Sequence, residues 1–273
     1  MLSRFFKHVR RWVIPQRLRI RLEASLISLI RSNRLHHVRF DGDPGIDVTF
    51  VDYKHVGTAP NRELIELVAS AGQRLSSQKI IETLRNNESK RCPLLFDFGN
   101  HYLLLTALAE ARKAKKIVEI GTAGGASLWA WLQADCVEMV STWDIRPLAD
   151  SYSWLGTEDC RKLVVNTLSS QSDRWKQFVE DLSESEVWKQ RCSEFANADI
   201  LFIDGPHDGR FESVIWSKIK SIKNANEILL IFDDIRVSSM VDFWSGLDVP
   251  KLDATFIGHQ SGTGLAILEA NRI

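Results

Sequence analysis

No Cys-x-x-Cys pair occurs among the four cysteines, Cys92, Cys136, Cys160 and Cys192. That absence argues against a structural zinc site or a redox dithiol, and the expectation is four free thiols in a reducing cytoplasm. Excess charge is missing too: 35 Lys and Arg balance 35 Asp and Glu. The N-terminal region lacks a long apolar run. Its longest uncharged stretch, "ASLISLI" at 24–30, is too short to span a membrane and lies too far behind scattered arginines for a signal peptide. Neither an internal repeat nor a low-complexity tract is present, which excludes solenoids and disordered chains. What remains is an ordinary globular composition, 44% hydrophobic and 26% charged, long enough to bury a sizeable core.

The neutral total hides an uneven distribution. Residues 1–40 hold ten Lys or Arg and one acid, Glu23, so this segment is +9 and the other 233 residues are −9. Leu2, Phe5, Phe6, Val9, Trp12 and Val13 recur at helical spacing between basic residues, and Leu18, Leu22, Leu26, Leu29 and Ile30 suggest a second helix after Pro15. Two roles suit such a segment. One is a helical lid or homo-oligomer contact, and the other is peripheral attachment to an anionic membrane surface. The acidic body opposes a broad contact with nucleic acid. A turn-rich "DGDPGID" follows at 41–47, and "NRELIELVASAG" opens a helix over 61–84 with Asn61 as its cap. Residues 1–97 thus read as a basic helical extension.

From residue 98 to 273 apolar strands alternate with helices. The strands are "KIVEIG" (116–121), "EMVSTWDI" (138–145), "WKQFVEDL" (175–182), "DILFIDG" (199–205) and "EILLIFDD" (227–234). Helices are expected over 125–134 and 210–222. Such a pattern specifies an α/β, Rossmann-like doubly wound sheet, mostly parallel and covered on both faces. "ATFIGH" and "TGLAILE", joined by "QSGTG", add an antiparallel C-terminal hairpin.

In an open parallel sheet ligands bind beyond the carboxyl ends of the strands, where strand order reverses. The residues of chemical interest fall at such ends. "VEIGTAGGAS" (118–127) is a buried strand, a glycine turn and a helix start, suited to close approach of a ligand to the backbone. Asp144 closes the next strand 23 residues after Gly121, where a carboxylate suits a ribose diol; the other reading is a solvated strand-end acid. Asp181 ends a third strand and could accept from an exocyclic amine. "ILFIDGPHDG" (200–209) brings Asp204 and His207 past a fully apolar strand, and "IFDDI" brings Asp233 and Asp234.

Taken together these stretches resemble the class I S-adenosylmethionine-dependent methyltransferases. The resemblance implies cofactor contacts from Glu119, Gly121, Ala123, Gly125, Ser127, Asp144 and Asp181, and it matches the reversed last strand of that family. The usual middle glycine of the loop is Ala123 here, a methyl that the loop tolerates if φ stays negative. Within the family, "FIDGPH" and "IFDDI" are similar to divalent-cation-dependent O-methyltransferases, including those acting on sugar hydroxyls. That similarity implies Asp204, Asp233 and Asp234 as ligands of a cation, Mg²⁺ by its preference for hard oxygens. It also implies His207 as general base, and a small hydroxylated molecule as acceptor. Adjacent Asp233 and Asp234 point to opposite faces of a regular strand, so both reach one ion only if the strand ends there and the backbone turns.

The alternatives are a hydroxylase-like relative, which needs a redox metal, and a non-catalytic cofactor-binding protein, for which Ala123 is the main argument. The lack of an "NPPY"-type sequence argues against methylation of nucleic-acid bases. His101, at a helix start, reads either as structural or as a cover over the cofactor, while His259 lies at the terminal hairpin and could reach the cleft. The nine tryptophans read as core and rim packing rather than a substrate cage, with Trp154 and Trp244 in segments that could line an acceptor pocket.

Overall fold

The computed structural model describes residues 39–41, 47–49, 58–76, 92, 95, 100–259 and 261–271. The helices expected over 2–33, and residues 77–84 of that expected over 61–84, lie outside the described residues. The chain forms two compact units, Met1–Asp52 and Tyr53–Ile273. In the first, β1 (Arg39–Asp41) and β2 (Asp47–Thr49) pair antiparallel, with Asp41 opposite Asp47 across the expected turn.

The second unit begins its regular structure with α1 (Arg62–Ser76), capped by Asn61 Oδ1, which accepts from Leu64 N at 2.9 Å. Leu64, Leu67, Val68 and Ala71 recur every three or four residues and are buried against α2 (His101–Arg112). There follow β3 (Lys116–Ile120), α3 (Ala126–Leu132), β4 (Met139–Asp144), a 3₁₀ segment (Leu148–Leu155), α4 (Glu158–Ser170), β5 (Trp175–Val179) and α5 (Ser185–Ala196). The chain ends with β6 (Ile200–Ile203), α6 (Arg210–Ile219), β7 (Ile228–Asp233), α7 (Ser238–Gly246), β8 (Lys251–Asp253) and β9 (Thr263–Leu268).

These strands form one sheet in the order β5-β4-β3-β6-β7-β9-β8. The first five are parallel, and β9 runs antiparallel between β7 and β8. The alternation of side chains divides the core into two layers. In β6, Ile200 and Phe202 join the α1–α4 layer with Leu104 and Trp131, while Leu201 and Ile203 face Trp143, Phe195, Phe232 and Trp244. From β3 the chain winds toward β4, and from β6 it winds toward β7, so strand order reverses between β3 and β6. This is the doubly wound Rossmann-like fold with a reversed C-terminal strand pair. None of the described helices is long and apolar enough to cross a membrane.

Two expectations need correction. Cys92 and Cys160, both fully buried, are joined in a disulfide, leaving Cys136 and Cys192 free. A separation of 68 residues carries no spacing signal, because only the fold brings the two together. The thiol argument for a reducing compartment therefore falls away. The first strand of the hairpin is Lys251–Asp253, and "ATFIGH" is the connecting loop that carries His259 back toward the sheet. Trp244 is fully buried against Phe232, in keeping with the reading of the tryptophans as core packing, whereas Trp154 is 65% exposed.

The hairpin is anchored by two buried cations. Lys251 Nζ donates to the carbonyls of Trp244, Ser245 and Leu247 at the end of α7. Arg236, in the turn after β7, donates from Nε and Nη2 to Asp253 Oδ2 at 3.1 and 2.8 Å, and both residues are buried. Removing the anion of a buried ion pair costs about 3–5 kcal/mol. Asp253→Ala is therefore expected to lower the unfolding free energy by that amount in urea denaturation, and Asp253→Asn by less. A loss below about 1 kcal/mol, the range of an exposed pair, is the result against this reading.

Candidate functional site

The site is built where β3 and β6 end side by side. Asp204 N donates to Ile120 O at 2.9 Å and Gly121 N to Trp143 O at 2.8 Å, so three strand ends are tied together. Gly121 has φ +99°, and a Cβ there would lie 1.8 Å from Asp204 O. No other residue type fits. The glycine loop and the Asp204 loop are therefore in direct contact.

Around the loop the structure gathers Glu119, Gly121, Ala123, Gly125, Ser127 and Asp144. Thr122 and Thr142 hydroxyls share a buried hydrogen bond of 2.6 Å across β3 and β4. Asp144 accepts from Ala123 N at 2.9 Å and from Arg146 N at 3.0 Å, so this acid holds the loop as well as closing its strand. Ala123 has φ +40°, so the condition of a negative φ under which the loop readily tolerates its methyl is not met. An L-residue there carries about 1–2 kcal/mol of strain that glycine avoids. Its side chain is exposed, so the methyl meets solvent. Asp181 lies in the next loop along the same end of the sheet. It follows the edge strand β5, and its Oδ1 accepts from Ser183 N at 2.8 Å in a turn leading to α5.

Glu119 is completely buried beneath the loop. Burial pushes its carboxyl up to about 8, although Ser127, Thr142 and Trp131 flank it and pull the other way. Neither carboxylate oxygen makes a hydrogen bond of normal geometry.

The second group surrounds the ends of β6 and β7. The His207 ring stands between two acids, with Nε2 2.9 Å from Asp204 Oδ1 and Nδ1 3.1 Å from Asp234 Oδ2. Its backbone has φ +55° and is held by Glu212, whose carboxylate accepts from His207 N at 3.0 Å and Gly209 N at 2.9 Å. Ser239 Oγ donates to the carbonyl of His207. Gly205 admits this packing, since a Cβ there would lie 2.7 Å from the Phe211 ring. The strand β7 ends at Asp233, and Asp234 turns at φ +54°, so both adjacent carboxylates face the cluster. The geometric condition set by their adjacency is met.

Two histidines complete the cluster. His259 Nε2 lies 2.6 Å from Asp233 Oδ1, and the ring of His101 packs edge-on against that of His259. His101 Nδ1 is 3.8 Å from the same oxygen. His101, which the sequence left open between a structural role and a place over the ligand, belongs to the cluster. Sequence reasoning missed Glu212, although the Gly209-x-x-Glu212 spacing of a capping box was there to find it. The pairings of His101 and His259 with Asp233 had no local signal.

Burial and mutual charge set the electrostatics. Burial drives the Asp204 carboxyl up to about 6, helped by Asp233 and Asp234 and opposed by His207. Burial would also raise Asp233, but His101 and His259 hold it well below the usual carboxylate range. For His207, burial pushes down while the bond to Asp204 and the neighbouring carboxylates outweigh it, holding the imidazole up at about 10. Burial pushes His101 down to about 4.

Glu119 binds its proton more tightly in the folded chain than in the unfolded one, where it titrates near 4.5. Its contribution to stability is complete below about pH 4.5 and is lost as pH rises through about 8. Glu119→Gln is expected to flatten that decline, with a difference on the order of a few kcal/mol in unfolding free energy at about pH 9. Parallel stability curves for the two proteins would show that Glu119 is not held protonated.

No family model and no curated protein matches this chain. Solved structures do match. An O-methyltransferase from Bacillus cereus in complex with SAH is 16% identical, covering 76% of this chain and 97% of its own, with a TM-score of 0.45. The O-methyltransferase TomG from Streptomyces achromogenes, involved in tomaymycin synthesis and in complex with SAM, is 14% identical over 76% of this chain and 96% of its own, with a TM-score of 0.43. The SAH-bound methyltransferase PaMTH1 from Podospora anserina is 13% identical over 89% of this chain and 94% of its own, with a TM-score of 0.42.

Proposed function

We propose that this chain transfers the methyl group of S-adenosylmethionine to a hydroxyl of a small molecule or glycoside. The observation that supports this best is the contact between Gly121 and Asp204 at the strand-order reversal, which sets a ligand loop beside an acid–histidine pair. In the reaction the sulfur–methyl bond breaks, a carbon–oxygen bond forms on the acceptor, and sulfur keeps the electron pair as S-adenosylhomocysteine. The hydroxyl proton passes to His207. Gly121, Ala123 and Gly125 line the cofactor with backbone, and Asp144 is placed for a ribose diol. Holding the two reactants in line is the chief contribution of the scaffold.

The donor set around His207 fits a divalent cation. Asp204, Asp233 and Asp234 gather three carboxylates at the ends of β6 and β7, where burial first and the neighbouring acids second raise Asp204 and Asp234, and donor atoms of Asp204, His207 and Asp233 lie within 4.8 Å of one another. These three residues would hold the ion, with Mg²⁺ the match for oxygen donors. Such a cation supplies polarisation of the acceptor hydroxyl and relieves the negative charge that keeps His207 protonated. His207 is then the group in reach of the released proton, oriented by Glu212 and Ser239 through its backbone.

A panel of hydroxylated acceptors, assayed for S-adenosylhomocysteine release with and without Mg²⁺, tests the reading. His207→Ala is expected to lower kcat by about 10²- to 10⁴-fold and leave cofactor affinity intact. Asp144→Ala is expected to weaken S-adenosylmethionine in calorimetry with little effect on the cation. Asp204→Asn should abolish Mg²⁺-stimulated turnover while preserving the fold. Full activity of Asp204→Asn in the presence of chelator removes the cation from the mechanism.

A further inference from the structure

His101 has no evident use in the reading above. It is the first residue of α2 and is 7% exposed, and its Nδ1 is buried without a hydrogen-bond partner. That nitrogen faces Asp233 Oδ1 from 3.8 Å, beyond hydrogen-bond reach. His259 approaches the same oxygen from the loop between β8 and β9. The three donor atoms lie within 4.8 Å of one another.

We propose that His101 Nδ1, His259 Nε2 and Asp233 Oδ1 form a binding site for a divalent transition metal. Two imidazoles and one carboxylate are borderline donors that suit zinc, cobalt or ferrous iron, in contrast to the all-oxygen set that suits Mg²⁺. An ion about 2.1 Å from each donor in tetrahedral geometry separates the donors by about 3.4 Å. His101 Nδ1 and Asp233 Oδ1 thus need to close slightly from 3.8 Å, and His259 Nε2 to withdraw from 2.6 Å. Both adjustments are side-chain movements.

The surroundings are those of a ligand set. Ser261 Oγ bonds Nδ1 of His259 at 2.5 Å, which fixes the ring and leaves Nε2 toward Asp233. Phe202 and Tyr102 pack against the His101 ring and restrict its rotation. Three protein donors leave at least one coordination position open to solvent or a small ligand. The site also accounts for the course of residues 254–259, which leave the sheet and bring His259 to Asp233.

Asp233 belongs to both this set and the carboxylate set, but the other requirements differ. The nitrogen site needs His101 and His259, and the oxygen site needs Asp204 and Asp234. Methyl transfer is required by neither binding test. The full chain, stripped with chelator, is titrated with Co²⁺ while its visible absorption is followed, and with Zn²⁺ in calorimetry. One ion per chain is expected, with Co²⁺ bands of nitrogen ligation. His259→Ala and His101→Gln should each weaken Zn²⁺ at least about 100-fold, beyond the loss typical of an outer partner. Asp204→Asn should leave Zn²⁺ affinity unchanged. Should His101→Gln fail to fold by circular dichroism, His259→Ala, on its loop, and the ¹⁵N histidine shifts on adding Zn²⁺ to the unaltered chain still decide. An absent Co²⁺ spectrum, unshifted His101 and His259 resonances, or unchanged Zn²⁺ affinity in His259→Ala overturns the proposal. Loss of Zn²⁺ in Asp204→Asn with none in the histidine variants also overturns it, and leaves the carboxylate site standing.

Discussion

The closeness of Gly121 to Asp204 governs the carboxyl edge of the sheet. A single methyl at position 121 would collide with a backbone carbonyl, so the two loops meet only because one residue has no side chain. That contact sits at the reversal of strand order, the place where open α/β sheets bind their ligands. Thr122, Thr142 and Asp144 lock the cofactor-type loop on one side of it, and Glu212 and Ser239 lock the His207 loop on the other. The chemistry proposed for the site requires both loops to be held at once.

Strain and charge concentrate at this edge. Ala123, His207 and Asp234 all take positive φ without being glycine, and each is at or beside a residue proposed to act. Three acids and three histidines share the end of two strands. Their burial would be prohibitive for isolated ions, and the pairing of each acid with a histidine is what makes it tolerable. Asp233 is the pivot, because it faces His259 and His101 and is also coupled to His207. The apolar layers beneath, Phe202 on one face and Ile203 and Phe232 on the other, exclude water from below the cluster.

The reversed edge serves the same end. Inserting β9 between β7 and β8 places the β8–β9 loop over the end of β7, and this loop delivers His259 and Ser261. Arg236–Asp253 and the capped end of α7 keep the hairpin in register. An edge that would otherwise be a peripheral strand pair thus completes the cluster.

Much of this was legible in the amino-acid order. Strand and helix positions from residue 116 onward follow from runs such as "ILFI" and "ILLIFD" separated by amphipathic stretches, because periodicity reports burial directly. The loop residues and the acids at strand ends were also readable, since a strand end is a local event. Tertiary structure alone decided the rest. It paired Cys92 with Cys160, buried Trp244, gave Ala123 its positive φ, and moved the first hairpin strand to 251–253. It also brought His101 to Asp233 across 132 positions, 101 to 233, and His259 across 26. Separations of that kind leave no periodic trace, because the distance between two side chains is set by sheet order and helix packing, not by their place along the chain.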